Sequence, residues 1–339
     1  MLKNNCFIIA ELSANHGGSL EIAKETVRAA KRAGADAIKL QTYTADTITL
    51  NVKTDHFKIN QGTAWDGKYL YDLYKGASLP WEWHKPLFDL AEEEGLVCFS
   101  SPFDKTAVDF LEELNTPMYK VASFEITDIP LIKYIASKGK PIIISTGIAS
   151  VEDIELAINA CKEENNLDIT ILKCTSAYPA SSEDSNLLTI PDIIERFGVK
   201  SGLSDHTMGI EAPMIAVALG AKIIEKHFIL NKEIGGADAH FSLDEIEFKL
   251  MVDSVRLTEK ILGNVDYSMT DKKKKSREFS RSLFVTKDVK IGDTILEENI
   301  RSVRPGFGMH PKYYKSILGR KFTKDVLKGT PLSENLFSK

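Results

Sequence analysis

Residues 201–228 read SGLSDHTMGIEAPMIAVALGAKIIEKHF, and this stretch decides the fold that we predict for most of the chain. Residues 199–203 and 221–226 are short runs typical of buried strands, and the apolar residues 212–219 are typical of a packed helix. A strand, a helix and a second strand in direct succession form a β-α-β unit, in which the two strands run parallel.

One histidine stands at the carboxyl end of each of these strands. We expect His206 and His227 at the same edge of the sheet, within reach of one ion. Residues two apart share a face of a strand, which places Ser204 with His206 and Glu225 with His227. The alternative for either histidine is a satisfied polar residue at the rim of a barrel.

Length and charge exclude several classes of protein. The 339 residues suffice for one large domain and one small domain. A net charge of -5 and a pI near 5.9 provide no basic field for nucleic acid. No apolar run is long enough to span a bilayer, and the N-terminus lacks the pattern of a signal peptide, so we predict a cytoplasmic protein.

The four cysteines, Cys6, Cys98, Cys161 and Cys174, are widely spaced and stand mostly in apolar runs. This pattern predicts reduced thiols in the core rather than a disulfide framework or a zinc site. We expect no cysteine to lie beside a candidate base, so none is predicted to be catalytic.

Strand-like runs alternate with amphipathic helical segments over residues 6–262. This alternation predicts a closed (β/α)8 barrel, the TIM barrel. An open doubly wound sheet is the competing fold, but residues 10–19, AELSANHGGS, lack the glycine spacing of its phosphate loop. The predicted strands are residues 7–10, 37–40, 97–99, 118–121, 142–145, 169–173, 199–203 and 223–226.

Polar residues gather at the carboxyl ends of these strands, where barrels of this kind carry their active sites. No comparable set stands at the opposite strand ends. In strand order the residues are Glu11, Asn15 and His16; Lys39 and Gln41; Ser100 and Ser101; Lys120, Ser123 and Glu125; Ser145 and Thr146; Lys173, Thr175, Ser176 and Tyr178; Ser204, Asp205 and His206; Glu225 and His227.

Lys39 and Lys120 end apolar strands, where a buried ammonium group is costly unless an anion pairs with it. With the nearby hydroxyl groups they predict a pocket for a phosphate or a carboxylate. Internal ion pairs to Glu11 or Glu125 are the alternative. A Schiff-base lysine is a third possibility, for which Lys39, Lys120 and Lys173 all qualify by position.

Two loops at this end of the barrel are long enough to shape a binding site. Residues 42–80 form an aromatic insert after the second strand, and we predict a folded lid or substrate wall there. Residues 231–242 follow the eighth strand and carry paired glycines and Asp238, a candidate ligand for substrate hydroxyl groups. A helix N-terminal turn is the alternative for Asp238.

The composition changes after the barrel, which we predict over residues 1–263. Residues 264–280, with four consecutive lysines, are predicted to be a solvated linker, and residues 281–339 a small domain. In that domain TKDVKIGDTILEENI, from Thr286, recurs in weaker form as TKDVLKGTPLSENL, from Thr323. This repeat predicts a duplicated strand-turn-strand unit with pseudo-two-fold symmetry. Between the copies, Arg304 precedes Pro-Gly and is either a ligand-binding arginine or an ordinary surface residue.

Several of these segments together resemble a known family. AELSANHGGSLEIAKE, GADAIKLQTY, FSSPFD, YKVAS, ISTG, KCTSAYP, GLSDHT and EKHF, with RSLFVTKDVKIGDTI and RPGFG near the C-terminus, are similar to segments of the nonulosonic acid synthases, the sialic acid synthase family. The resemblance covers nearly the whole chain. It implies a TIM barrel followed by a small C-terminal antifreeze-like (SAF, β-clip) domain that crosses to the partner subunit of a homodimer.

The resemblance also implies the reaction. Enzymes of this family condense phosphoenolpyruvate with an N-acylated amino sugar in its open aldehyde form and release phosphate by C–O cleavage. By this resemblance His206 and His227 hold a divalent ion, manganese or magnesium, and either Glu11 or Glu125 is the catalytic carboxylate. Phosphoenolpyruvate is held by Lys39, Ser101, Lys120, Ser123, Ser145, Ser176 and Ser204, and the sugar by Gln41, Tyr178, Asp238 and, from the other subunit, Arg304.

The chain departs from typical sialic acid synthases at three places. Those proteins read more like AEAGVNHNG at the first strand, have asparagine at the position of Ser176, and read more like GPDH where this chain has Gly-Ala-Asp-Ala from Gly236. The departures argue against N-acetylmannosamine as substrate, and we predict 2,4-diacetamido-2,4,6-trideoxy-altrose. The alternatives are N-acetylneuraminate or another nonulosonate as product, an aldolase on the same barrel, and a carbohydrate-binding protein with an inert barrel.

Overall fold

Eight parallel strands close into a barrel in chain order. The computed structural model describes residues 5–60, 62 and 65–338, and the chain divides into two compact units between Gly263 and Asn264. In the first unit the last strand pairs with the first, with Glu11 beside His227, so the sheet has no open edge. The predicted TIM barrel is therefore confirmed. No helix in the described part of the chain is long and apolar enough to cross a membrane.

All eight predicted strands are present, each within three residues of its predicted ends. They are β1 (Phe7–Glu11), β2 (Ala37–Thr42), β3 (Val97–Pro102), β4 (Tyr119–Val121), β5 (Ile142–Ser145), β6 (Ile169–Cys174), β7 (Lys200–Asp205) and β8 (Ile223–His227). The helices of the same unit are α1 (Leu20–Arg32), α2 (Ala45–Ile48), α3 (Leu70–Ala77), α4 (Trp81–Glu93), α5 (Lys105–Glu113), α6 (Ile129–Ala136), α7 (Val151–Glu163), α8 (Thr189–Phe197), α9 (Glu211–Ala218) and α10 (Glu245–Leu262).

Outward-pointing strand residues pack under the helices. Ile38 and Leu40 of β2 belong to an apolar layer that also contains Val27 and Ala30 of α1. These α1 residues reach the layer together because residues three or four apart share one face of a helix. Ser19 fixes the start of α1 by accepting a hydrogen bond from the backbone of its first turn.

Inward-pointing residues fall into two layers that differ in polarity. The layer at the amino ends of the strands is apolar, and each of its members is at most 5% exposed, so it fills the lumen: Ile9, Ala37, Phe99, Met118, Ile143, Leu172 and Ile223. The next layer toward the carboxyl ends is polar, beginning with Glu11 and Lys39. A binding site inside this barrel is therefore restricted to the mouth at the carboxyl ends of the strands.

The insert over residues 42–80 is folded, as predicted. It contains the helices α2 and α3, and the ring of Trp65 lies 5.9 Å from that of Tyr178, which follows β6. Residues 61, 63 and 64 lie outside the described residues. The insert thus brings an aromatic side chain to the barrel mouth, which supports a role as a substrate wall.

The second unit contains β9 (Ser282–Val285), β10 (Ile300–Val303), α11 (Asp271–Arg277) and α12 (Tyr314–Ile317). The lysine run that we predict to be a linker forms most of α11, and residues 264–280 are exposed throughout. Thr270 accepts a hydrogen bond from Lys273 N at the start of this helix, and the basic side chains follow toward its C-terminus, where the helix dipole favours them.

The predicted pseudo-two-fold pairing of the internal repeat is confirmed, but residues 286–299 and 323–336 pair through an isolated bridge and not through the predicted strands. Val289 and Val326 occupy the same position in the two copies and exchange both backbone hydrogen bonds, at 2.9 and 3.0 Å. The aspartates that precede them, Asp288 and Asp325, each accept a hydrogen bond from the backbone of the opposite copy, at 2.8 and 2.9 Å. Equivalent residues therefore pair across a pseudo-two-fold axis.

Candidate active site

Two lysine side chains and two carboxylates meet inside the barrel mouth. Lys39 Nζ lies 2.8 Å from Glu11 Oε2 and 3.6 Å from Glu225 Oε1, and Lys120 Nζ lies 3.6 Å from that same Glu225 oxygen. All four side chains are buried. The ion pair of Lys39 with Glu11, which is the alternative to an anion pocket in the sequence analysis, is present, but the close partner of Lys120 is Glu225 and not Glu125. Glu225 faces both lysines because it points into the lumen from β8.

Serine hydroxyl groups complete the surroundings of the lysines. Lys120 donates a hydrogen bond to Ser145 Oγ at 2.7 Å, and Lys39 donates one to Ser101 Oγ at 3.3 Å. Ser204 donates to the Glu225 carboxylate at 3.1 Å. These hydroxyl groups now hydrogen-bond to the two lysines and to Glu225, and they can rotate to donate to a bound anion instead.

A second pair of serines lies beside the loop after β5. The hydroxyl oxygens of Ser123 and Ser176 are 2.6 Å apart. Gly147 makes this contact possible, because a Cβ atom at that position would collide with Ser176 Oγ. The small residue after β5 therefore leaves room for a side chain that arrives from the end of β6.

The buried charges shift one another's pKa values. Burial lowers the pKa of Lys120, and the charge of Glu225 only partly offsets this. Burial acts in the same direction on Lys39, but Glu11 and Glu225 outweigh it and raise the pKa. Burial alone would raise the pKa of Glu225, yet Lys120 and Lys39 hold it below its usual value. Glu225 is thus the permanent counter-ion of a pocket that contains two ammonium groups.

The pKa values of two other carboxyl groups are raised to about 7. Burial is the main cause for Glu11, against the opposing charge of Lys39, and also for Glu125, against that of Lys120. Glu11 accepts a hydrogen bond from Gln41 Nε2 at 2.9 Å. Among the described residues, Oε2 of Glu125 has no hydrogen-bond partner although it is buried. Oε2 of Glu11 also lacks a hydrogen bond there, but it lies 2.8 Å from Lys39 Nζ, so Glu125 is better placed to exchange a proton with a ligand.

His206 and His227 lie together, as predicted, with their ring centroids 5.2 Å apart. His206 Nδ1 is 3.0 Å from the carbonyl oxygen of Thr175, which can only accept, so Nδ1 carries a hydrogen and Nε2 is the atom left for a metal when the ring is neutral. Burial acts to lower the pKa of His206, but the contact with Cys174 outweighs it and raises the pKa. His227 Nδ1 is buried and has no hydrogen-bond partner among the described residues. Burial lowers the pKa of His227 well below its usual value, so this ring is neutral.

The donor atoms around the histidines fit a divalent cation with open coordination positions. Asp238 Oδ2 lies 3.7 Å from the orphaned His227 Nδ1. In the part of the chain that the structure describes, no group of three or more His, Cys, Asp or Glu side chains is already arranged to hold a metal. Two imidazoles beside a carboxylate nevertheless supply the ligand types that manganese, magnesium or zinc accept, with water or substrate completing the shell.

Three of the four residues predicted to bind the sugar, Gln41, Tyr178 and Asp238, lie in the rest of the mouth. Asp238 accepts a hydrogen bond from Ser13, and Gln41 Nε2 donates to the Ser13 hydroxyl at 3.1 Å. The ring of Tyr178 lies 4.5 Å from that of His206. Polar and aromatic groups therefore alternate around the histidines, which is typical of a sugar-binding surface.

Two family models match this chain, one for each unit. The family model described as the NeuB family matches residues 26–267, and that of the SAF domain matches residues 280–338. The chain belongs to the NeuB family. Its second unit is accordingly a SAF domain, as the sequence predicts.

Curated relatives within the NeuB family match almost the whole chain. A pseudaminic acid synthase of Campylobacter jejuni (strain 81-176) is 51% identical over 331 residues, which are 98% of this chain and 96% of the relative. A pseudaminic acid synthase of Helicobacter pylori is 52% identical over 327 residues, 96% of each protein. The crystal structure of an N-acetylneuraminic acid synthetase from Leptospira borgpetersenii superposes with a TM-score of 0.72 at 31% identity, covering 81% of this chain and 91% of that one.

Sequence reasoning missed one residue at this NeuB-family site and gave another no role. Ser13, which joins Gln41 to Asp238, was not predicted, and its only signal was its position two residues after Glu11. Glu225 was predicted to lie at the mouth with His227, but not to join the two lysines.

One statement about the cysteines is wrong. All four are buried and free, as predicted, but Cys174 Sγ lies 3.9 Å from His206 Nδ1, so a cysteine does neighbour a candidate base. The two residues belong to adjacent strand ends and are 32 positions apart, which hides their contact in the sequence. Arg304 belongs to the second unit, and its predicted role remains a prediction.

Proposed function

We propose that this chain catalyses the pseudaminic acid synthase reaction. It would condense phosphoenolpyruvate with 2,4-diacetamido-2,4,6-trideoxy-altrose and water to give pseudaminic acid and phosphate. Similarity to curated pseudaminic acid synthases at about half identity over nearly the whole chain supports the choice of sugar. The observation that carries the reaction class is the pair of buried lysines, Lys39 and Lys120, at the same barrel mouth as two histidines.

The lysine pocket suits phosphoenolpyruvate, which carries a phosphate and a carboxylate. Lys39 and Lys120 supply charge-assisted hydrogen bonds, and the hydroxyl donors that we assign to this substrate are Ser101, Ser123, Ser145, Ser176 and Ser204. In the empty pocket Glu11 and Glu225 pair with the two lysines, and a multiply charged anion would take over these contacts. Phosphoenolpyruvate is a cytoplasmic metabolite, so we propose the cytoplasm as the compartment of this enzyme.

We assign the sugar to Gln41, Tyr178 and Asp238, and a divalent ion, manganese or magnesium, to His206 and His227. Such an ion, when bound, supplies a Lewis acid for the aldehyde oxygen of the open-chain sugar. Gln41 and Asp238 share the hydrogen-bond network through Ser13, so they can orient sugar hydroxyl and amide groups without further rearrangement.

The carbon chemistry then needs one proton acceptor. C3 of phosphoenolpyruvate bonds to the aldehyde carbon, which leaves positive charge at C2. Water adds to C2 and gives a proton to the ionised Glu125, whose buried oxygen lacks a partner among the described residues. The bond from C2 to the bridging oxygen then breaks as the C2 hydroxyl becomes a ketone, and phosphate leaves with the bridging oxygen, its electron pair and the hydroxyl proton, its charge stabilised by the lysines. The former aldehyde oxygen, negatively charged since the carbon–carbon bond formed, takes up the proton that Glu125 received.

We expect purified protein supplied with Mn²⁺ to release phosphate only when phosphoenolpyruvate and the diacetamido sugar are both present. Phosphoenolpyruvate labelled with ¹⁸O at the bridging position should deliver the label to phosphate, because the C–O bond is the one that breaks. N-acetylmannosamine should release little phosphate. Turnover of N-acetylmannosamine alone would refute the proposed sugar, and trapping of a substrate on the protein by borohydride would favour a lysine aldolase.

We further propose a homodimer in which Arg304 of one copy meets the acylamino group of the sugar in the other. This assignment comes from the family resemblance and not from a distance. Mixing Arg304→Ala protein with His206→Ala protein should restore part of the activity, because a hybrid dimer contains one intact site. If subunits exchange, as followed by differently tagged chains, and activity does not recover, Arg304 does not act across subunits.

A further inference from the structure

A buried ion pair lies on the outer side of the strands that carry the two histidines. Lys226 Nζ is 2.5 Å from Asp205 Oδ2, and both side chains are 1% exposed. Asp205 immediately precedes His206, Lys226 immediately precedes His227, and the two residues are register partners on the adjacent strands β7 and β8. By alternation along the strands, they point away from the mouth into which the histidines point.

The pair is tied to the backbone at the carboxyl end of β7. Lys226 also donates to the carbonyl oxygen of Thr207 at 2.7 Å, and Asp205 Oδ1 accepts from both the backbone nitrogen and the hydroxyl of Thr207, at 2.9 and 2.8 Å. The carbonyl oxygen of His206 in turn accepts a hydrogen bond from Ala180 N at 2.9 Å. This network therefore fixes the backbone on both sides of His206 and connects it to the residue before His227.

Stability alone does not explain such a pair. A buried ion pair loses the hydration of both charges, and replacing it with apolar residues of similar size is often neutral or stabilising. Nor do the two residues take part in the proposed chemistry, since neither contacts the lysine pocket or the carboxylates at the mouth. Their position suits one task, which is to hold two neighbouring strand ends in fixed relation.

We propose that Asp205 and Lys226 are positioning residues that set the separation and orientation of His206 and His227 for a divalent cation. The inference rests on the metal site of the proposed function. Ligand imidazoles hold an ion tightly only when their rings are fixed in advance, and groups that fix metal ligands typically change metal affinity by about 10–100-fold when removed.

The test compares two double variants in the full-length, metal-free protein. Asp205→Asn with Lys226→Met removes both charges while an amide can still bond to Thr207. The control, Asp36→Asn with Arg256→Met, removes a 2.7 Å ion pair whose aspartate precedes β2, at the opposite end of the strands. Metal affinity is measured by titration with Co²⁺ alone, which also reports ligand geometry through its visible spectrum, and melting temperature is measured without metal.

We expect the first variant to bind Co²⁺ about tenfold or more weakly with an altered spectrum, and the control to bind it as the unmodified protein does. Hydrogen exchange at the amides of Thr207 and Ala180 should accelerate only in the first variant. Unchanged Co²⁺ affinity in a folded first variant would overturn the positioning role, whatever its melting temperature. Failure of the unmodified protein to bind Co²⁺ would instead overturn the metal site.

If the double variant does not fold, Thr207→Val provides the same test with a smaller change, because it removes only the hydroxyl bond to Asp205. We expect this variant to fold and to bind Co²⁺ about threefold more weakly, as the loss of one hydrogen bond predicts. Equal affinity in Thr207→Val and the unmodified protein would contradict the inference.

Discussion

Replacing Glu125 by glutamine should lower kcat by about 10²–10⁴-fold, the usual contribution of a general base, and should change the KM for phosphoenolpyruvate far less. Glutamine keeps the size of the side chain but cannot take a proton from water. Oε2 of Glu11 and Oε2 of Glu125 are both buried without a hydrogen bond among the described residues. Glu125 is the chosen base because Glu11 Oε2 lies in a 2.8 Å ion pair with Lys39, whereas no ion pair of the described residues involves Glu125. Phosphate release at saturating substrate measures the effect.

The pH profile separates the two carboxylates. Burial raises the pKa of Glu125 to about 7, and a base must be ionised to act, so kcat/KM should fall as the pH falls through about 7. This acidic limb should be absent in Glu125→Gln and should remain in Glu11→Gln. If the limb instead disappears in Glu11→Gln, Glu11 is the base and the assignment of Glu125 is wrong.

Much of this architecture was accessible from sequence because it depends on local pattern. Short apolar runs followed by helical segments predict the barrel strands to within three residues, including both strands of the opening stretch 201–228. The polar layer follows from the same pattern, since alternation and strand polarity place Lys39, His206 and His227 at one mouth. Both signals extend over only a few neighbouring residues.

Contacts between distant strands were not accessible in the same way. Glu225 and Glu125 are both acidic residues near the carboxyl ends of strands, and nothing in the sequence tells which of them approaches Lys120. The answer depends on the tilt of β8 relative to β4 across the lumen. Cys174 and His206 are a second case, because their contact requires the ends of β6 and β7 to be level. Side-chain reach across a barrel is a tertiary property.

Replacing Lys120 by methionine should weaken phosphoenolpyruvate binding by about 100-fold and at the same time raise the melting temperature. One charge-assisted hydrogen bond contributes about 1.5–3 kcal/mol, and its upper limit corresponds to about two orders of magnitude in Kd. Stability should change in the opposite direction, because burial lowers the pKa of Lys120, which means that the fold disfavours its charged form. At neutral pH the charge is therefore a cost that methionine removes.

Lys39→Met is the matched comparison, because it should also weaken substrate binding but should lower the melting temperature. The pKa of Lys39 is raised, since Glu11 and Glu225 outweigh burial, so its charge stabilises the fold at any pH below its pKa. Removing it leaves the Glu11 carboxylate buried without its 2.8 Å partner. Lys200→Met, on an exposed side chain, controls for loss of a lysine elsewhere.

Calorimetric titration with phosphoenolpyruvate and thermal melts of the three variants together decide the matter. Opposite shifts in melting temperature for Lys120→Met and Lys39→Met, with weaker binding in both, would establish that the charge of Lys120 contributes to ligand binding and does not stabilise the fold. Equal losses of stability would show that both lysines are structural. Such a result would also remove the main argument for phosphoenolpyruvate at this mouth, because neither lysine charge would then be available to the ligand.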